Sequence, residues 1–416
     1  MFRNRLLSLA LCLAAALSAA AQPAEDGLRS RYPELSAEDL ADPAAIAALE
    51  DRVNAWFDAE SETQRAPHLK ALEGTDLRLL EAIVRHGRRY SAPEGPIVGN
   101  ITLPPRYDPA KPIPILIGFN NLTTGWERDA VLGGFGTMNP WGVEAWVDPR
   151  ATDEIVRDLW KLSRRVNIDF DRLYATGVSV GGHGTWVAAC TRSDAWAAML
   201  PISGSPGRVM VAMGEAYMRN VRHLPVRTVV GAEDTDIAAM ANKGFALGKE
   251  QKLPIFLDTH DGRGHESFDD LAGDLLTWAL KHRRPLYPAE LEYYGGADLG
   301  HRHYWVEAVK DSVRGRDLII DTVTGTVKRR IPVFALQIAA GVKDNVVSVR
   351  TKQVSSLRVS LSPSMVDFTR DVTVKVNGRV AWKGKPAGSA RTLLESSLRR
   401  MDRSRTFLWE MEFEVK

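Results

Sequence analysis

The chain has 416 residues, 44% of them hydrophobic and 25% charged, which is the balance of an ordinary globular protein with length enough for two or three domains. Its formal charge of +2 falls to zero if residues 1–21 are removed, because they carry Arg3 and Arg5 and no acid. A neutral chain has no electrostatic case for nucleic acid or anionic lipid, and no later segment is apolar for long enough to insert into a membrane.

The chain opens on MFRNRLLSLALCLAAALSAAAQ, with two arginines, an apolar run and Ala19-Ala20-Ala21 as a small-residue cleavage site. This pattern predicts a secretory signal peptide over 1–21 and a secreted or periplasmic protein. Only Cys190 survives its removal, so an intrachain disulfide is excluded and stability must come from the core. Residues 22–92 read as a helical preface. Ile46, Leu49, Val53 and Trp56 recur at helical spacing, and ALEGTDLRLLEAIVRHG offers a second helix.

From 93 to 284 the texture is that of an α/β domain. The apolar run IPILIGF predicts a buried strand followed by Asn120, Asn121 and Leu122. Beyond it lies TTGWERDAVLGGFGTMNPWGVEAWVDPRA, where Trp126, Trp141 and Trp146 sit among glycines. An aromatic substrate pocket built on Trp126 and Trp141 is one reading, and packing against the core is the other. Ile155, Leu159, Leu162 and Val166 then mark an amphipathic helix, followed by a strand over 172–176. That strand runs into Gly177-Val178-Ser179-Val180-Gly181, a GxSxG pentapeptide, and then into the helix-like HGTWVAAC. A strand-to-helix turn of this kind exposes a nucleophilic serine, with glycines where side chains would obstruct it. The alternative is a helix cap with an incidental serine.

A serine hydroxyl needs an imidazole to take its proton and an acid to orient the imidazole, in the order Ser, acid, His along the chain. A strand over 226–230 ends near Asp234, with Glu233 and Asp236 as rival acids able to cap the next helix. A third strand over 255–257 precedes His265, which lies in a Gly-rich loop expected to swing over the serine, whereas His260 follows the strand directly. His183 lies on the helix after the serine, where packing suits it better. The tetrahedral oxyanion needs two N–H donors, expected from Val180 and from the loop carrying Asn120, Asn121 and Leu122.

In DFDRLYATGVSVGGHGTW, the GAED turn and GRGH, the chain resembles the α/β-hydrolase superfamily, within it the polyhydroxyalkanoate-depolymerase-like, feruloyl-esterase-like and predicted secreted peptidase branch. The resemblance covers roughly residues 95–283. It implies Ser179 as nucleophile, Asp234 as acid and His265 as base, on a mostly parallel sheet flanked by helices. Relatives commonly carry His-Gly where this chain has Phe119, Asn120 and Asn121, so the second oxyanion donor departs from the family pattern.

Proline and charge around 283–288 predict a linker over 285–299. From 300 to 416 the sequence alternates, with Asn377-Gly378 a two-residue hairpin signal, and a β-rich, sandwich-like domain is expected. His301 and His303 have the spacing of two metal ligands on one strand face, but no third ligand is in sight. HExxH is absent and no metal or cofactor is expected. The expected activity is cleavage of a small-molecule or polymer ester by a serine hydrolase, with a serine peptidase and a catalytically inactive binding or scaffold protein as alternatives. The C-terminal domain is expected either to contact a polymer or cell surface or to act as a structural lid.

Overall fold

The computed structural model describes residues 27–87, 101–140, 149–296, 302–311 and 336–415. The expected signal peptide, Trp141, Trp146 and His301 lie outside the described residues. The chain divides into two units, residues 1–89 with 388–406, and residues 90–387 with 407–416.

The first unit is helical: Pro43–Asp58, Glu62–Leu72, Leu77–His86 and Ala390–Arg400. Asp42 caps the first helix at Ala45 N–H, and Ser61 with Gln64 forms a capping box on the second. The single helix expected over ALEGTDLRLLEAIVRHG is broken. Gly74 takes φ 87°, and Asp76 starts a new helix by accepting from Arg78 N–H. Glu50, only 5% exposed, is matched by Arg31 at 2.9 Å and by the Tyr32 hydroxyl. Residues 388–406, part of the range expected as the β-rich domain, belong to this unit and carry the helix Ala390–Arg400. It buries Leu393, Leu394 and Ser397 against the helices Leu77–His86 and Glu62–Leu72. Beyond it, the Arg403 guanidinium lies 4.0 Å from the centre of the Phe57 ring, and the Thr406 hydroxyl donates to Glu81 at 2.6 Å.

The second unit holds a mostly parallel seven-stranded sheet and a β-sandwich. The sheet consists of β1 (Ile101–Thr102), β2 (Ile113–Phe119), β3 (Gly136–Met138), β4 (Ile168–Val178), β5 (Ala198–Ile202), β6 (Val226–Gly231) and β7 (Ile255–His260). Their order is β1-β3-β2-β4-β5-β6-β7, parallel throughout except for β1 at the edge. This is the α/β-hydrolase arrangement. Every residue of β2 is buried, as a central parallel strand requires. The chain leaves β2 for β3 on one side and leaves β4 for β5 on the other, so the crevice between the carboxyl ends of β2 and β4 is the topological switch point. Asn120 and Ser179 are the residues just past those two ends.

Residues 290–295 of the segment expected as a linker form a strand, and the two arginines just before the segment are paired. Arg284, 5% exposed, binds Asp171 at 3.1 Å, and Arg283 binds Asp169 at 3.1 Å, tying the chain back to the start of β4. The next residues form β8 (Glu290–Gly295), which joins β11 (Leu336–Lys343), β12 (Val346–Lys352), β14 (Val372–Val376) and β15 (Arg379–Gly384) in one sheet. The opposing sheet contains β9 (Arg302–His303), β10 (Val306–Asp311), β13 (Val354–Leu361) and β16 (Trp409–Glu414). Trp305, Leu336, Ile338, Val347, Leu357 and Val359 belong to one buried core between them, so the domain is a sandwich. His303 is buried and stacked on Tyr293 with ring centres 4.9 Å apart, a packing role.

Asn377 and Gly378 join β14 to β15 with φ 49° and 81°, the left-handed pair of a two-residue hairpin turn. Asp344 and Asn345 do the same between β11 and β12, with φ 49° and 59°. Gly378→Val forces a branched side chain into left-handed backbone. It is expected to destabilise the second unit by about 1–2 kcal/mol, read as a lower denaturant midpoint.

Candidate active site

The turn after β4 is possible only because backbone replaces side chains around it. A Cβ on Gly181 would lie 2.1 Å from the Phe119 carbonyl oxygen, and one on Gly182 would lie 2.4 Å from that of Ile202. A Cβ on Gly177 would meet the Gly181 carbonyl at 2.6 Å. These approaches hold Ser179 at φ 58°, ψ −114°, a conformation that costs a non-glycine residue on the order of 1–3 kcal/mol. Ser179 stands at the N-cap of the helix Val180–Thr191 but makes no side-chain cap bond, so its hydroxyl is not spent on the helix. The first N–H groups of any helix lack intrahelical acceptors, which leaves the Val180 N–H available at the bend.

Asp234 begins the helix Thr235–Glu250, again without a side-chain cap bond. Its carboxylate instead accepts from His265, with Nδ1 and Oδ2 2.6 Å apart. A carboxylate can only accept, so Nδ1 carries the hydrogen and Nε2 keeps its lone pair. Neither Glu233 nor Asp236 takes this place. His260 ends β7, where its carbonyl accepts from Ala232 N–H and its ring packs on Phe268 at 5.4 Å. His183 is buried, with Nδ1 within 3.2 Å of the Ser205 N–H.

The loop carrying His265 differs from the swinging loop expected. The Ser203 hydroxyl donates to the Glu266 carbonyl at 2.7 Å, and the Trp126 indole N–H donates to the next carbonyl, Ser267, at 2.9 Å. Glu233 N–H reaches the Arg263 carbonyl at 2.9 Å, and a Cβ on Gly231 would collide with that same oxygen at 2.1 Å. Arg263 binds Glu266 and Asp270 at 2.7 Å each and lies 4.2 Å from the centre of the Phe268 ring. Its hydrogen bonds hold both carboxyls below the usual carboxylate range. Thr123 donates to Asp269 at 2.7 Å. The loop is fastened on both sides of the histidine.

These ties connect histidine to serine. Ser179 N–H donates to the Ile202 carbonyl at 3.0 Å, and the next residue, Ser203, holds the carbonyl of the residue after His265. Ser203 is fully buried with φ 44°, and a Cβ on the following Gly204 would lie 2.5 Å from Gly182 backbone. The end of β5 thus grips both the serine turn and the histidine loop.

After β2, Asn120 and Asn121 take φ 62° and 66°, left-handed geometry that asparagine tolerates better than most residues. A Cβ on Gly181 would be 3.2 Å from the Asn120 Cβ, so Asn120 lies against the serine turn. The Leu122 N–H is committed to the Asn139 side-chain oxygen at 2.8 Å, which removes Leu122 as an oxyanion donor and leaves the two asparagines.

Trp126 is not a pocket wall. It is 1% exposed and packed among Leu116, Phe135, Tyr174 and Leu200, because its helix, Thr124–Leu132, turns that face to the sheet. Sequence reasoning missed Ser203, Asn139, Thr123 and Asp269. Ser203-Gly204 directly after an apolar strand was the one available signal, since a small polar residue and a glycine there invite a close backbone approach.

No family model matches the sequence, and no curated protein sequence matches it. Among solved structures it is similar to a thermostable esterase, at 18% identity and a TM-score of 0.36 over 44% of this chain and 58% of that one. It is also similar to Est1E from Butyrivibrio proteoclasticus, at 15% identity and 0.35, over 44% and 93% of the two chains. A third is a putative dipeptidyl aminopeptidase IV from Bacteroides ovatus, at 12% identity and 0.37, over 44% and 33%.

Trp126→Phe keeps the buried ring and deletes the donor to Ser267. It is expected to lower kcat by roughly 10–100-fold through a misplaced imidazole, equally on short-chain and aromatic esters and with a folded protein. A change in the ratio between those substrates would instead mark the tryptophan as a substrate contact.

Proposed function

We propose that the protein is an exported serine hydrolase that cleaves carboxylic esters through an acyl-enzyme on Ser179. The observation that carries this reading is the 2.6 Å bond between His265 Nδ1 and Asp234, made on a loop tied to the strand end that also binds the Ser179 backbone. An imidazole so oriented presents its basic Nε2, and a serine in a left-handed turn presents a hydroxyl that caps nothing. Export rests on the basic and apolar character of residues 1–21.

In this mechanism the Ser179 oxygen attacks the ester carbonyl carbon while His265 Nε2 takes the hydroxyl proton. Asp234 stabilises the imidazolium without itself becoming protonated. The carbonyl oxygen becomes an oxyanion held by the Val180 N–H and by a donor from Asn120 or Asn121. Collapse expels the alcohol, which receives the proton from His265. Water, deprotonated by the same nitrogen, then attacks the acyl-enzyme, releases the acid and returns the proton to Ser179. Each step moves one proton between oxygen and Nε2.

The test is labelling by a fluorophosphonate, with Ser179→Ala as the control. Wild-type protein is expected to label and the variant not to, with the variant's ester hydrolysis reduced by about 10⁶-fold. Unlabelled wild-type protein would favour a binding or scaffold role. Among acetyl, butyryl, feruloyl and peptide substrates, esters are expected to be turned over fastest, and preference for the peptide would identify a peptidase.

A further inference from the structure

The outer face of the sandwich's five-stranded sheet carries a trough of about 540 Å³, within the size range of ligand sites. The register explains it. Leu336, Ile338 and Ala340 of β11 point into the core, so Gln337, Ala339 and Gly341 point out. Ala339 lies between Glu292 of β8 and Arg350 of β12, and Gln337 between Tyr294 and Lys352. Small residues on the middle strand make the floor, and long ones on its neighbours make the walls.

The walls differ in charge. Both oxygens of Glu292 are occupied, one by Arg219 at 3.1 Å and the other by Arg222 at 3.3 Å, from the 3₁₀ segment Glu215–His223. Among the described residues Arg350 and Lys352 have no ion-pair partner, and both are exposed. The lining is therefore cationic on the β12 side, while Glu290, one row along on the same face, would repel an anion at the other end. We infer that this trough binds a polysaccharide chain bearing carboxylate groups, with the carboxylates on Arg350 and Lys352 and the hydroxyls on the Gln337 amide.

Other occupants fit less well. A protein partner needs apolar anchors at the centre of its site, and the outward-facing apolar side chain on the floor is the small Ala339, since Ile338 is buried in the core. Strand addition needs an unpaired edge, whereas β11 and β12 are bonded on both sides. Nucleic acid single strands need exposed rings for stacking, and Tyr294, the trough's aromatic residue, is 7% exposed with its hydroxyl donating to Glu292 at 2.8 Å. The inference does not rest on the hydrolase reading, since binding here involves none of the residues at the serine.

The experiment is titration of the full chain with oligogalacturonate, with xylohexaose as the neutral control, by calorimetry at low salt. Saturable binding of oligogalacturonate is expected, at least 10-fold tighter than xylohexaose. It should weaken at least 10-fold in Arg350→Ala/Lys352→Ala and in Ala339→Trp, which fills the floor, both confirmed folded by their unfolding transitions. Absence of binding, equal binding of the neutral sugar, or binding that neither variant weakens would overturn the inference. Ser179→Ala is expected to bind as wild type does, so a failed hydrolase reading leaves this result unaffected.

Discussion

Close contact of backbone on backbone around Ser179 is the constraint on which the rest depends. The strand β4, the helix after it and the ends of β2 and β5 meet where four glycines stand, and a single methyl group at Gly181 or Gly182 would overlap a carbonyl oxygen. Cores repack around side chains, but backbone has nowhere to retreat. The strain stored in Ser179 is thus imposed by the sheet, which holds the serine backbone in one geometry.

The histidine is governed by a different physics. Its loop has no ladder to join, so its carbonyls are met one at a time, by the Glu233 N–H and by side chains. Ser203 and Trp126 take two consecutive carbonyls, Arg263 bridges two acids within the loop, and Thr123 holds a third acid. Each such bond is worth only about 1 kcal/mol net, yet together they replace the freedom expected of a glycine-rich segment with one geometry. Preorganisation of this kind lowers the reorganisation needed during reaction.

How much of this was readable in the sequence depended on how local each cause was. GxSxG between an apolar strand and a small-residue helix is a local pattern, and so is Asn377-Gly378 between alternating runs; both appear in the structure as written. The order of serine, acid and histidine led to Asp234 and His265, which share a hydrogen bond. For Trp126 the sequence left a substrate pocket and core packing both open, because the carbonyl it binds is 141 residues away. The stretch 285–299 looked like a linker because of its prolines and the arginines just before it, while the acids that bind Arg283 and Arg284 sit at the start of β4. The helix Ala390–Arg400 is locally evident as a helix, but its assignment to the N-terminal unit depends on contacts more than 300 residues apart.

That last feature has a bearing on how the molecule is made. Residues 388–406 complete the N-terminal helical unit, and 407–416 supply the strand β16 that closes one sheet of the sandwich. The helices of residues 27–87 therefore find their last partner more than 300 residues further along the chain, and the sandwich takes a strand from beyond that helix. Contacts of such long range carry a high entropic cost of closure and slow the folding of both units.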